Sequence, residues 1–404
     1  MRPEEIRIED YTYELPPEKI ASEPAAHRHN SKLLVFKEQS ITVGTYRNIA
    51  DHLPRNSLIF FNDTRVINAR LRFTKSTGAT IEIFCLEPVV HHTRHLQDKS
   101  PSTWFCFVGG LSKWKDETLQ MKSPEIFLQA KLIEKKGETC IVQFEWTPPE
   151  LSFSEVIRLC GKVPLPPYIK RESGEIDEER YQTVFAESEG SVAAPTAGLH
   201  FTEQVLETLF SKNILSRYIT LHVGAGTFKP VKAEIMRDHE MHAEWLQVRI
   251  EIIEELIECK SPVTAVGTTS LRTLESLYWL GVKVRTDPDI ETLQISQWEV
   301  YKDSMMKVSK NESLSSLLAW MKKKQLENVI AHTKLLIVPG YKFRIADVLV
   351  TNFHQPQSTL LLLIAAVTGK NWKDLYNYAI DNDFRFLSYG DGSVLYIDES
   401  FKAE

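Results

Sequence analysis

Two periods of hydrophobicity divide the chain. From Ala69 to about Trp146 the pattern is mostly period two, with Ile81, Ile83 and Cys85 on one face of the alternation. Trp104 to Val108 runs into Gly109-Gly110, and Ile126 to Leu128 and Ile141 to Phe144 read as further strands. Short strands with no helix between them predict a small barrel or sandwich. Before it, Ser57 to Phe61 is an apolar run ending at the turn signal Asn62-Asp63. After about residue 160 helical periods enter. Thr202 caps a helix bearing Val205, Leu206, Leu209 and Phe210, and Tyr218 to Val223 is a strand. Ile252 to Cys259 is a helix, Val263 to Val266 a strand, and a helix follows with Leu271, Leu274, Leu277 and Tyr278 on one side. Asp347 to Val350 is a strand, Ser358 to Thr368 a helix, and Asn371 the expected cap of a last helix. Strands alternating with helices predict an α/β fold, a mixed sheet with flanking helices. The all-β segment 62–159 is therefore read as a barrel-like insertion into an α/β domain of residues 1–61 and 160–404.

Composition narrows the class. The 404 residues are 43% hydrophobic and 25% charged, which suits packed cores and excludes a largely disordered chain. The net charge of −6 lacks the basic surplus of a general phosphate binder and leaves room for a local basic groove. Cys85, Cys106, Cys140, Cys160 and Cys259 show no C-x-x-C spacing and read as reduced, mostly buried thiols. The first residues lack a basic start with an apolar run, and Leu360 to Val367 is far short of the roughly 20 residues that span a bilayer. The expectation is a cytoplasmic protein, monomeric, with no membrane partner.

Ligands of open α/β sheets bind beyond the carboxyl ends of the strands, so strand-to-helix loops are the segments to search. Val266-Gly267-Thr268-Thr269-Ser270 offers a glycine, hydroxyls and a helix start, with Arg272 adding charge. Leu221 to Phe228 carries His222, Gly224 and Gly226, but lacks the third glycine of a dinucleotide loop. Ala193 to Phe201 presents Thr196, Gly198 and His200 before a helix, and Thr351 to Thr359 presents Asn352 and His354 in the same form. In Asp238 to Glu244 the histidines His239 and His242 are three apart, whereas a zincin needs four. An extended backbone puts His242 and Glu244 on one face, as an acid/base pair. Val163 to Arg171 is a proline-rich strip ending in Tyr168, Lys170 and Arg171, a stacking and phosphate surface or a plain linker. Asp63 and Arg65 follow the first apolar strand.

In order along the chain stand FNDTRVINARL from Phe61, PLPPYI from Pro164, RYQTVFA from Arg180 and SVAAPTAGLHFT from Ser191. LHVGAGTFKPV from Leu221, HEMHAE from His239, VGTTSLRTLES from Val266, TNFHQPQSTLLLL from Thr351 and FRFLSYGDG from Phe384 follow. Together these motifs resemble the S-adenosylmethionine:tRNA ribosyltransferase-isomerases of queuosine biosynthesis; the stretches 91–104 and about 291–333 depart from the pattern. The resemblance implies transfer and isomerisation of the ribosyl group of S-adenosylmethionine onto an aminomethyl-deazaguanine at the wobble position of a tRNA with a GUN anticodon. It implies epoxyqueuosine, adenine and methionine as the products and no need for a metal. It further implies proton transfer by His200, His222, His242 or Glu244. Gly224, Gly226, Thr268, Thr269, Ser270 and Arg272 would hold the adenosyl and methionyl parts, beside Thr196 and Gly198. Asp63 would read the guanine-like edge, Asn352 and His354 the ribose or base, and Arg65, Tyr168, Lys170 and Arg171 the anticodon loop. The competing expectations are a metal-dependent hydrolase built on His239, His242 and Glu244, a non-catalytic RNA binder and a methyltransferase.

Overall fold

The computed structural model describes residues 2–89, 95–224, 231–302 and 308–403. Among them, ten strands form one mixed sheet flanked by helices. Its centre is four parallel strands in the order Ile214–His222, Ser57–Asn62, Val263–Val266 and Val348–Asn352. Ser57–Asn62 is buried at all six positions, as a strand covered on both faces must be. The next strand on each side is antiparallel to this core, Glu244–Arg249 on one side and Gly392–Tyr396 on the other.

The period-two segment forms a nearly closed antiparallel sheet of six strands. Its edge strands, Arg70–Thr74 and Leu119–Lys122, touch without pairing. Ile81, Ile83, Cys85, Trp104, Cys106, Cys140, Val142 and Phe144 point inward and are buried. All five cysteines are free thiols, and three of them belong to this core. The helix Phe153–Cys160, with a Ser152/Glu155 capping box, lays Phe153, Val156 and Ile157 into the same core. The short parallel pair Thr64–Val66 and Ser188–Ser191 joins this region to the large sheet.

Strand and helix positions follow the hydrophobic periods closely. Thr202 caps as expected, through Val205 N–H at 3.4 Å, and Ser358 caps the helix Thr359–Thr368 through Leu361 N–H at 3.1 Å. Asn371 does not: it is itself helical and its side chain donates to Thr368 O at 3.1 Å, so a 3-10 turn runs directly into Trp372–Asp381. No helix among the described residues is long and apolar enough to cross a membrane.

The helix Gly267–Thr286 crosses the middle of the fold and is buried nearly all round. Its neighbour Lys310–Lys323 approaches at Gly281, where an added Cβ would stand 2.2 Å from Ser313 O. At an exposed helical site Gly→Ala gains about 1 kcal/mol. Here the clash is with backbone, which has no rotamer to escape by, so overpacking wins. Gly281→Ala is expected to destabilise the protein by roughly 2 kcal/mol or more; a denaturant midpoint at or above that of the parent protein refutes this close approach.

Candidate functional site

All four parallel strands end at the same edge of the sheet, at His222, Asn62, Val266 and Asn352. Asn62 locks two of these tips together. Its Nδ2 donates to Leu221 O at 2.9 Å, while its Oδ1 accepts from Leu221 N–H at 3.1 Å and Thr64 N–H at 3.3 Å. Ser191 Oγ accepts from Val223 N–H at 3.1 Å and holds the next residue in place. Beyond these tips lies a cavity of about 100 Å³. Six of the residues expected from sequence line it: Tyr168, Thr196, Thr268, Thr269, Asn352 and His354.

The helix Gly267–Thr286 starts on the cavity wall. Gly267 has φ +87°, a conformation that L side chains resist, so glycine is required at this strand-to-helix turn. Val266 has no polar side chain to cap the helix. Thr269 Oγ is buried with no hydrogen-bond partner among the described residues. Across the cavity, Thr196 Oγ donates to Asn352 Oδ1 at 2.8 Å. Asn352 Nδ2 lies 3.3 Å from His200 Nε2 and 3.4 Å from Asp391 O. His200 itself stands one layer back, stacked on Tyr46 with ring centroids 4.2 Å apart. Burial pushes its imidazole down to about 3, helped by the positive charge of Arg385. Desolvation does the same to His354, also to about 3, and its Nε2 sits 3.0 Å from Thr351 Oγ. Both rings are therefore neutral at neutral pH.

A second polar cluster occupies the neighbouring strand tips. Asp63 Oδ1 accepts from Thr220 Oγ at 2.7 Å, and burial raises the Asp63 pKa. His222, two residues along from Thr220 and on the same strand face, rests against Trp245 with centroids 4.9 Å apart. Gly224 follows with open space around it, and Gly226 lies outside the described residues. Arg65 is exposed, one strand position beyond Thr64.

Several expectations are corrected. Glu244 does not pair with His242 across an extended stretch: the carboxylate turns inward and accepts from Arg272 Nη1, while His242 is exposed. Arg272 also donates to Leu335 O at 3.0 Å, so this pair braces the central helix and does not line the cavity. Ser270 is buried away from the cavity too. No group of three His, Cys, Asp or Glu among the described residues is placed to hold a metal ion, His239, His242 and Glu244 included. Gly198 serves packing, since a Cβ there would meet Phe185 and Thr183 at 3.0 Å. The proline strip is not a free surface, because Val163 to Pro166 are buried. Tyr168 bonds Ser388 Oγ at 2.6 Å, and Arg171 clamps the buried Asp177 at 2.6 and 2.8 Å. Of these three expected RNA contacts only Lys170 is exposed.

Sequence reasoning missed Tyr181 and Ser388 as cavity residues. Each sat inside a quoted motif, RYQTVFA and FRFLSYGDG, but neither hydroxyl carried a local signal of its own. The buried neutral histidine has a measurable consequence. The unfolded chain takes up a proton on His200 near 6.5, and the folded chain resists it down to about 3. Below 6.5 the unfolded state therefore binds more protons, and stability falls as pH falls. His200 alone is expected to remove roughly 2 kcal/mol between pH 7 and pH 5. Denaturant titrations at both pH values check this: His200→Asn should show a smaller drop than the parent, and an equal drop refutes it.

Comparison with known proteins places this site in context. The family model described as "Queuosine biosynthesis protein" matches residues 8–395. A protein of an Azoarcus species, named S-adenosylmethionine:tRNA ribosyltransferase-isomerase, is 34% identical over 96% of this chain and 97% of its own length. One from Legionella pneumophila with the same name is 35% identical over 96% of this chain and 99% of its own. A solved S-adenosylmethionine tRNA ribosyltransferase from Thermotoga maritima is 27% identical, covers 95% of this chain and 99% of its own, and superposes with a TM-score of 0.46. With a family model running almost end to end and full-length relatives above 30% identity, the chain belongs to the queuosine biosynthesis protein family, that of the S-adenosylmethionine:tRNA ribosyltransferase-isomerases.

Proposed function

We propose that this protein moves the ribosyl carbons of S-adenosylmethionine onto the aminomethyl nitrogen of a deazaguanine at the wobble position of a GUN-anticodon tRNA. The product is epoxyqueuosine, and adenine and methionine leave. The observation that carries this reading is the convergence of Thr196, Thr268, Thr269 and Asn352 on one cavity at the strand ends, beside the Asp63–His222 cluster. Two adjacent polar sites suit a reaction that brings two substrates together.

The sulfonium charge acidifies the ribose methylene beside it, and adenine leaves more readily once protonated. What the chain supplies is position and proton transfer. The cavity walls hold the cosubstrate. Asp63 accepts N–H donors from the guanine-like edge, which requires the carboxylate form. His222, next to the cavity residue Val223, is the proton-transfer group we favour; His200, His242 and Glu244 are each turned to other partners or surfaces. The base reaches the site unstacked from the anticodon loop, as single-stranded RNA recognition requires. The exposed Arg65 and Lys170 meet the phosphates around it. Enzyme and tRNA meet in the cytoplasm, with the protein acting as a monomer and no metal in the chemistry.

The test is mass spectrometry of one incubation with S-adenosylmethionine and tRNA bearing the aminomethyl base. Adenine and methionine should appear one for one with the new nucleoside, and chelator treatment should leave the rate unchanged. Release of S-adenosylhomocysteine would mean methyl transfer; an intact cosubstrate with bound tRNA would mean a non-catalytic binder. Loss of turnover on chelation would point to the metal hydrolase. Asp63→Ala should lower kcat/KM for tRNA by roughly tenfold to a hundredfold, the worth of a charged hydrogen bond. The KM for S-adenosylmethionine should stay unchanged.

A further inference from the structure

Most polar groups around the cavity are already spent on each other. Tyr168 bonds Ser388, and Thr351 bonds His354. Ser358 caps its own helix through Leu361 N–H and donates to Gln355 O at 2.7 Å. Among the groups left for a ligand are the uncapped start of Gly267–Thr286, with Thr268 and Thr269, and the oxygen of Thr196, along with the Tyr181 hydroxyl, Gln355 and Thr359. Thr268 is only 9% exposed and lines the cavity, and none of the described residues takes its hydroxyl. Thr196 is close by, since a Cβ on Gly267 would stand 3.8 Å from Ala197 Cβ.

The hydrogen bonds behind Thr196 run in one direction only. Asp391 O, a backbone carbonyl, can only accept, so the amide edge of Asn352 that faces it must be the NH2. His200 Nε2 faces that same NH2 and must accept from it. The ring's single proton therefore sits on Nδ1, toward the backbone carbonyl of Arg28. The other amide edge is then the oxygen, and Thr196 must donate to it. Its hydrogen used, the Thr196 oxygen presents only lone pairs to the cavity.

A ligand must then offer an N–H or O–H donor at Thr196 and an anion at the helix start a few ångströms away. An α-amino acid carries both on one carbon. It is net neutral, as is a cavity wall with no charged side chain among the described residues. An ammonium–carboxylate head fits the cavity. We infer that the cavity receives the amino-acid end of the sulfonium cosubstrate, its ammonium donating to Thr196 and its carboxylate meeting the start of Gly267–Thr286, with Asn352, its amide oriented by Asp391 O, as the positioning residue that fixes Thr196 as an acceptor. The inference deepens the function proposed above and rests on it.

Calorimetric binding of S-adenosylmethionine and of its analogues lacking the amino or the carboxyl group tests it without turnover. Thr196→Val should weaken S-adenosylmethionine by roughly tenfold to a hundredfold and leave the deaminated analogue unchanged, while Thr196→Ser restores binding. Thr269→Val should cut the preference over the decarboxylated analogue. Equal weakening of S-adenosylmethionine and the deaminated analogue by Thr196→Val overturns the inference, whatever the turnover. A parent protein that binds S-adenosylmethionine with this pattern yet forms no new nucleoside overturns the function and leaves the inference standing. A parent that does not bind it overturns both.

Discussion

Glu275 is a carboxylate with no access to solvent, and the cavity depends on what it holds. It accepts from Tyr341 Oη at 2.9 Å and from the backbone N–H groups of Arg344, Ile345 and Ala346 at 2.9, 3.0 and 3.1 Å. Burial pushes its pKa up against these four bonds. The geometry matters more than the energy. Glu275 lies two turns into the helix that starts at Gly267, and the three N–H groups lie just before the strand Val348–Asn352. One side chain thus ties the segment carrying Thr268 and Thr269 to the segment carrying Asn352. A hydrophobic contact fixes distance loosely; four converging hydrogen bonds fix orientation as well.

How much of this can be read in the sequence depends on whether a residue's partner is near in the chain. The period-two barrel and the four apolar strands declare themselves, because inward-facing positions such as Ile81, Ile83 and Cys85 repeat along one short stretch. The segments that meet at the cavity are legible too, since each couples a strand end to a helix start. Side-chain roles are less so. Arg171 reads as a phosphate contact until Asp177 is found beneath it. Glu244 reads as the partner of a nearby histidine until Arg272, 28 residues on, claims it. In both cases a buried charge must be paired; Asp177 is near Arg171 in the chain but nothing local marks it as buried, and the Glu244–Arg272 pairing is decided by topology that no local pattern encodes.

The same rule explains why the cavity itself is without charged walls. Arg272 with Glu244 and Arg171 with Asp177 are pairs whose carboxylates are buried, and none of the four lines it. They stiffen the elements that do. In the reaction proposed above, a charged wall would compete with the cosubstrate's own sulfonium and with an attacking amine that must stay unprotonated. Hydroxyls, amides and a helix end supply direction at little cost in net field. The two neutral histidines fit this scheme: an imidazolium at either place would change the sign of the site.

One strained turn of the backbone lies at the same place. Leu387 lines the cavity with φ +68°, where a bulky residue costs about 1–3 kcal/mol. The surroundings over-determine it, for its N–H donates to Phe353 O at 3.2 Å and its carbonyl accepts from Gly390 N–H at 2.9 Å. A relaxed leucine would send the chain elsewhere and carry Ser388 away from Tyr168. Gly267 adopts the same hand without strain, on the other side of the cavity. One turn is made by the residue suited to it, the other is forced by its neighbours. Such a forced turn persists where the direction of the next side chain matters more than the stability it costs.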